Sequence, residues 1–363
     1  MTNTRAAGKR NAPALPLRAS KEAVMRYRQL GNTGMFVSEL CLGTMTFGGK
    51  GFFEVMGKVD DPTAIVARAL EAGVNIVDTA DVYSEGLSEE LVGKALKDLN
   101  VRRSDVLIAT KCYGRMGPGA NDIGTSRGHI LDTVAQSLKR LGTDHIDLYQ
   151  VHAQDLVTPL EETMRALDDL VRRGMVRYIG CSNWQAWRIA RADALAEHRG
   201  QARFETVQAY YSLAGRDIER EIVPLLEDRR IGLMVWSPLA YGILSGKFDR
   251  DQSPEGARRT SFDFPPVDKD KVWRIVDAMR EIGAPHSASP ARVAIAWLLA
   301  RRFVASVIVG VKSLAQLDDN LAASGLALSA EDLARLDELS ALAPEYPGWM
   351  IPRQANGRRP APK

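Results

Sequence analysis

The sequence predicts an α/β chain whose eight parallel strands close into a (β/α)8, or TIM, barrel. Three observations carry this. Eight short runs are rich in Val, Ile and Leu, as strands buried on both faces should be. Longer amphipathic segments separate them, which implies a parallel sheet, and eight such strands close on themselves. Nearly every run ends in a polar or ionisable residue.

Taken in order, Tyr27–Ser38, with Gly31-Asn32 and Gly34, predicts a hairpin ahead of the first barrel strand. The strands are predicted at Leu40–Met45, Asn75–Asp78, Val106–Lys111, Ile146–His152, Arg177–Ser182, Thr206–Tyr210, Gly232–Trp236 and Ser306–Val311. Helix starts are marked by Pro62 after Asp60 and Asp61, by a Thr158/Glu161 capping box, by Ser289-Pro290, and by Ser329 with Asp332. Residues 25–350 form one barrel domain in this reading. Residues 1–24 are expected to be a disordered basic extension, and 351–363 a mobile basic tail.

The 363 residues are 45% hydrophobic and 26% charged, which suits a globular chain rather than a disordered or collagen-like one. The net charge of +3 is unevenly placed: the two tails carry +4 each, leaving −5 on the body. A mildly acidic body argues against nucleic acid as a partner. No apolar run approaches the roughly 20 residues of a membrane helix. Three scattered cysteines, Cys41, Cys112 and Cys181, suggest a reducing compartment, so a cytoplasmic location is expected.

Such barrels carry their active sites at the carboxyl ends of the strands. Here those ends hold Thr44-Met45, Asp78, Lys111, His152, Ser182-Asn183, Gln208, Trp236-Ser237 and Gly310-Val311-Lys312. Competing chemistries lack their signatures. No GxGxxG follows a strand, and GxxxxGK[ST], GxSxG and HExxH are absent. The five histidines show no metal-ligand spacing, so no metal is expected.

Gly73-Val-Asn-Ile-Val-Asp78-Thr-Ala-Asp-Val-Tyr83 resembles the first signature of the aldo-keto reductase superfamily. Val106–Lys111, Asp147–His152, Gly180–Asn183, Trp236–Leu239 and Gly310–Asn320 match its later motifs in order. The likeness spans about Tyr27 to Leu342. It implies a (β/α)8 barrel with a hairpin at its base, and reduction of aldehydes and ketones (or oxidation of alcohols) without metal. The implied cofactor is NADPH/NADP+, with NADH/NAD+ less favoured.

The resemblance assigns a catalytic tetrad of Asp78, Tyr83, Lys111 and His152. Hydride attack on a carbonyl carbon leaves charge on oxygen, so a proton donor is needed. Tyr83 would be that acid, with Lys111 lowering its pKa from about 10. Asp78 would hold Lys111, and His152 would orient the carbonyl oxygen. Singly, these residues have ordinary explanations: a helix cap, a loop aromatic, a solvated lysine, a core histidine. Their joint order sets those aside.

Cofactor contacts are expected from Gly43, Thr44 and Met45. Ser182, Asn183 and Gln208 would bond the carboxamide, and Trp236, followed by Ser237-Pro238-Leu239, would offer its aromatic face. Gly242, Ser245 and Lys247 would wrap the pyrophosphate. Gly310, Lys312, Gln316, Asp319 and Asn320 would meet the adenosine end. Three long connections, Phe47–Asp60, Tyr113–Gly128 and Ala240–Lys269, are expected to shape the substrate site. Phe47, Tyr113, Met116 and Trp349, with Phe52 and Phe53, would give an apolar rim suited to aromatic or alicyclic carbonyls. The expected partner is a small-molecule carbonyl or alcohol, with homo-oligomer formation left open. Two alternatives stand: a nicotinamide-binding module resembling potassium-channel β-subunits, and a barrel lyase or isomerase using Lys111 as a Schiff base.

Overall fold

The structure, a computed structural model, describes residues 25–248, 250 and 262–356. The expected extension at 1–24 lies outside the described residues, as does the tail beyond Asn356. Within the tail segment, Met350–Asn356 forms a short helix.

Two strands, β1 (Tyr27–Gln29) and β2 (Phe36–Ser38), pair as an antiparallel hairpin. Eight parallel strands follow: β3 (Leu40–Gly43), β4 (Ile76–Asp78), β5 (Leu107–Cys112), β6 (Ile146–Val151), β7 (Val176–Ser182), β8 (Phe204–Tyr210), β9 (Gly232–Trp236) and β10 (Val304–Gly310). They pair in chain order, and β10 returns to β3 to close the barrel. The expected strands are present, with ends moved by one or two residues. Helices pack around the outside.

Period-two alternation along the strands divides the core. Outward side chains such as Leu42, Val77, Ile108, Tyr149 and Val207 pack against the helices. Inward ones, Cys41, Ile76, Ala109, Leu148 and Met234, fill the barrel together with Leu30 and Val37 of the hairpin. The hairpin therefore plugs the amino end. Gly31 makes this possible: its φ is +59°, and a Cβ there would lie 2.3 Å from the Glu205 carbonyl. With the barrel axis filled at the amino end, the inward-facing polar side chains gather at the carboxyl end. Continuing the inward alternation by one step gives Asp78 after Ile76, Lys111 after Ala109 and Gln150 after Leu148.

Helix starts follow their caps. Asp61 accepts from the Ala64 N–H ahead of Pro62, Ser289 accepts from Arg292 ahead of Pro290, and Ser329 with Asp332 forms a reciprocal capping box. The expected Thr158/Glu161 box does not form. The Thr158 hydroxyl donates instead to Asp155 Oδ2 at 2.8 Å, and the helix starts at Leu160, after Pro159. Asp155 also accepts from the Val157 and Thr158 N–H groups, and together with its Thr158 and Thr125 contacts this offsets burial and holds its carboxyl down at about 2. No helix among the described residues is long and apolar enough to cross a membrane.

Candidate active site

Asp78 ends β4 and points up the barrel axis. Its Oδ1 accepts from Lys111 Nζ at 2.5 Å, and its Oδ2 accepts from Gln208 Nε2 at 2.9 Å and Gln150 Nε2 at 3.4 Å. Lys111, fully buried, also donates to the Thr79 carbonyl at 2.7 Å and reaches Tyr83 Oη at 3.5 Å. His152 follows β6, and its ring meets that of Tyr83 edge-on at 5.6 Å. The four tetrad residues thus converge on one point at the barrel mouth.

Electrostatics follow from this packing. Burial opposes the charge on Lys111, but Asp78 and Tyr83 outweigh it and hold the ammonium's pKa up. Burial pushes Tyr83 above the usual tyrosine value; Lys111 pulls the other way and Asp78 adds to the rise. The sequence reading expected a net lowering. Lys111 has the expected sign, but in this closely packed mouth desolvation is larger. Burial and the Lys111 charge push His152 down to about 3, so its imidazole is neutral near pH 7.

Tyr83 sits on an unusual turn. Ser84, Glu85 and Gly86 follow it with φ of 50°, 58° and 91°. Left-handed backbone at the two non-glycine residues costs about 1–2 kcal/mol each, so packing must hold the turn in place. The Ser84 hydroxyl ties this turn to the connection after β3, donating to the Phe47 carbonyl at 3.1 Å.

The residues expected to hold a cofactor fall at the ends of β3, β7, β8, β9 and β10 and in the segments that follow them. Gly43 and Gly310 are paired across the β3–β10 closure. Thr44 is buried and bonded to Ser88 and the Asp78 carbonyl, so it braces the strand end; Met45 beside it is half-buried. Asn183 Nδ2 donates to Ser182 Oγ and the His152 carbonyl, and its Oδ1 accepts from Trp236 Nε1 at 3.0 Å. Asn183 thereby fixes the Trp236 ring. After Pro238 and Leu239, the chain turns through left-handed residues at Ala240, Tyr241 and Gly242, as it does at Ser237 before them. Ser237 Oγ and Ser245 Oγ accept from the Tyr241 and Lys247 N–H groups; Lys247 itself is exposed. Gln316 Oε1 accepts from the Lys312 N–H at 2.9 Å, and Asp319 is held by Ser289 and Arg292. Asn320 is buried one residue further along.

The rim differs from expectation in its members. Phe47 is fully buried in the outer core. Met116 lines a separate cavity with Asn121, Asp122 and His129, and Tyr113 is half-buried at the start of that loop. Trp349 makes its ring contacts with Tyr346 and Arg353, among the described residues. Phe53 instead meets the Tyr83 ring at 5.3 Å, and Phe52, Phe262 and Phe264 continue the aromatic chain to Trp236.

Several site residues escaped the sequence reading. Gln150 was legible in principle, two residues before His152 on the inward face of its strand. Ser84 gave no signal, because left-handed backbone is not expected of serine. Asp81 lies inside the recognised motif, yet it is fully buried and neither carboxyl oxygen has a partner among the described residues. Burial, then neighbouring Glu89, pushes its pKa up to about 8.

A (β/α)8 barrel with a buried Lys–Asp pair, a tyrosine and a neutral histidine at its mouth is an arrangement of carbonyl oxidoreductases. The chain matches the Aldo/keto reductase family over residues 39–341, and it belongs to that family. It is 36% identical to versiconal hemiacetal acetate reductase of Aspergillus parasiticus, over 86% of this chain and 96% of that protein. It is 35% identical to a putative aryl-alcohol dehydrogenase of Schizosaccharomyces pombe, over 86% and 95%. It is also 36% identical to a probable voltage-gated potassium channel subunit beta of Oryza sativa, over 82% and 91%. Membership supports an oxidoreductase that acts on carbonyl compounds with a nicotinamide cofactor.

Proposed function

We propose that the protein is an NADPH-dependent aldo-keto reductase that interconverts apolar, aromatic or alicyclic carbonyls and their alcohols. The observation that carries this reading is the Lys111 ammonium held by Asp78 at 2.5 Å and by the Thr79 carbonyl, within reach of Tyr83 Oη.

The residues present suit a nicotinamide cofactor. Asn183 joins the Ser182 hydroxyl to the Trp236 ring, and Gln208, whose Nε2 donates to Asp78, lies opposite Ser182 on the next strand. A Cβ built on Gly310 meets nothing closer than the Gly43 carbonyl at 3.9 Å, so the strand end is open. When bound, the nicotinamide supplies or accepts the hydride.

The chain's own residues do the rest. In reduction, Tyr83 donates its phenolic proton to the carbonyl oxygen, and its raised pKa keeps that proton in place at neutral pH. Lys111 then faces the resulting tyrosinate and stabilises it, and the tyrosinate recovers its proton from solvent. Asp78, fixed by Gln150 and Gln208, keeps Lys111 from turning away. Neutral His152 donates a hydrogen bond to the oxygen and orients it without supplying charge. Phe53 and Phe52 present an apolar surface beside Tyr83, which favours an aromatic or alicyclic substrate body.

Lys312 and Ser313 would receive a 2′-phosphate near the start of the helix that Ser313 caps. The test is turnover of a panel of aldehydes and ketones with NADPH and with NADH, followed by nicotinamide absorbance. Aromatic aldehydes should turn over best and with NADPH. Nicotinamide binding without turnover of any carbonyl would favour a regulatory module instead, the reading that the channel-subunit relatives support.

A further inference from the structure

We propose that Ser84 is a positioning residue that sets the spacing between the proton donor Tyr83 and the substrate-facing Phe53. This rests on the reductase reading above and adds a specificity determinant to it.

Two chain segments meet at Ser84. One is the turn after β4, where Ser84 directly follows Tyr83 and holds φ 50° and ψ 38°. The other is the connection after β3, which runs from Phe47 through Lys50 to Phe53. Ser84 is completely buried between them. Its hydroxyl donates to the Phe47 carbonyl at 3.1 Å and accepts from the Lys50 N–H at 3.4 Å. Gly48 leaves room for this contact: at φ 105°, a Cβ there would lie 2.9 Å from both Ser84 Cβ and Oγ. A second link, between exposed Lys50 and Glu85, adds an ion pair at 2.8 Å across the same two segments. Three residues beyond Lys50, Phe53 packs edge-on against Tyr83 at 5.3 Å.

The hydroxyl is therefore the buried connection between the acid and the wall beside it. Most residues avoid the left-handed region, and glycine would adopt it without strain. A serine held there trades local backbone preference for a hydroxyl at this point. Its loss leaves Tyr83, Lys111 and Asp78 bonded as before and Phe47 anchored in the core, but frees the Gly48–Phe53 segment to shift. A shift of about an ångström in that wall is enough to weaken the hold on a substrate that packs against it. A substrate too small to touch Phe53 has nothing to lose.

The experiment compares Ser84→Gly and Ser84→Ala with the unaltered enzyme, using benzaldehyde and propanal with NADPH, alongside thermal midpoints. Ser84→Gly relieves the backbone strain and removes the hydroxyl, two effects of similar size and opposite sign, so its thermal midpoint should stay near that of the parent. Ser84→Ala keeps the strain and removes the hydroxyl. Both should lose roughly tenfold in kcat/KM for benzaldehyde, mainly through KM, while propanal stays within about threefold. Equal losses for the two aldehydes, losses that follow the thermal midpoint, or no loss with benzaldehyde would each overturn the proposal. An unaltered protein that reduces neither aldehyde would overturn the reductase reading itself, a result visible before any variant is made.

Discussion

Lys111 Nζ lies 2.5 Å from Asp78 Oδ1 and 3.5 Å from Tyr83 Oη, so its charge is shared unequally between carboxylate and phenol. The short contact anchors the ammonium, and the long one leaves the phenol its proton. This is the arrangement a general acid needs before reaction, because the tyrosinate is favoured only after the proton has left.

Tyr83→Phe should therefore lower carbonyl reduction by roughly 10²–10⁴ while leaving nicotinamide affinity unchanged. Lys111→Met should act in the same direction. The double variant should lose far less than the sum of the two, because the ammonium acts through the phenol. Single-turnover reduction by Tyr83→Phe within about threefold of the parent rate would remove the phenol from the chemistry.

The pH profile should be flat where histidine enzymes titrate. His152, held at about 3, stays neutral from about pH 5 upward, and Tyr83 stays protonated beyond the usual tyrosine value near 10. Reduction should show no histidine limb from about pH 5 upward, at most a small step near pH 8 where Asp81 titrates, and a full fall only beyond about pH 10, whereas alcohol oxidation should rise with pH as tyrosinate becomes available. A half-maximal acid limb near pH 6.5 in reduction would show that His152 titrates as a free imidazole.

Much of this centre was legible because it lies on strand ends. Alternation carries Ile76 to Asp78 and Ala109 to Lys111, so the inward direction of those side chains follows from the strands alone. The rim was less legible. Phe47 and Phe53 are both loop phenylalanines in the sequence, yet Phe47 is buried in the core and Phe53 faces Tyr83. Loop direction depends on tertiary contacts such as the Ser84–Phe47 bond, which no local pattern encodes. The Thr158 cap failed for a similar reason: Asp155 competes for the same hydroxyl.

Asp81 predicts a stability effect of opposite sign to that of most carboxylates. Burial, with Glu89 adding repulsion, raises its pKa from 3.8 to about 8, so between those values the folded protein binds a proton that the unfolded chain has released. Its contribution is therefore most favourable below about pH 4 and is lost as pH rises towards 8. Asp81→Asn removes that dependence. It should raise unfolding free energy by about 1–3 kcal/mol near pH 8–9, with the gain shrinking as pH falls towards 4. Chemical denaturation at several pH values reads this directly; a gain that does not vary with pH would mean the carboxyl does not titrate in this range.

Lys312 bears on which nicotinamide is used. NADP differs from NAD by a 2′-phosphate of about two negative charges, which needs cationic donors at its site. The Lys312 side chain crosses to the turn after Phe53: a Cβ on Gly57, which holds φ 68°, would lie 2.7 Å from Lys312 Nζ. Its backbone N–H is fixed by Gln316 Oε1, and Ser313 caps the following helix. Lys312 and this helix N-terminus are the two groups expected to receive the anion. Asp319, the nearby opposing carboxylate, is itself bound by Arg292 and Ser289, which turns its charge towards another helix. NADPH should be preferred over NADH by one to two orders of magnitude in kcat/KM, about 1.4–2.7 kcal/mol. Lys312→Glu should erase most of that preference by weakening NADPH binding, with NADH use nearly unchanged. Titration of each nicotinamide by fluorescence separates binding from turnover, and equal affinity of the unaltered protein for the two would sink the assignment.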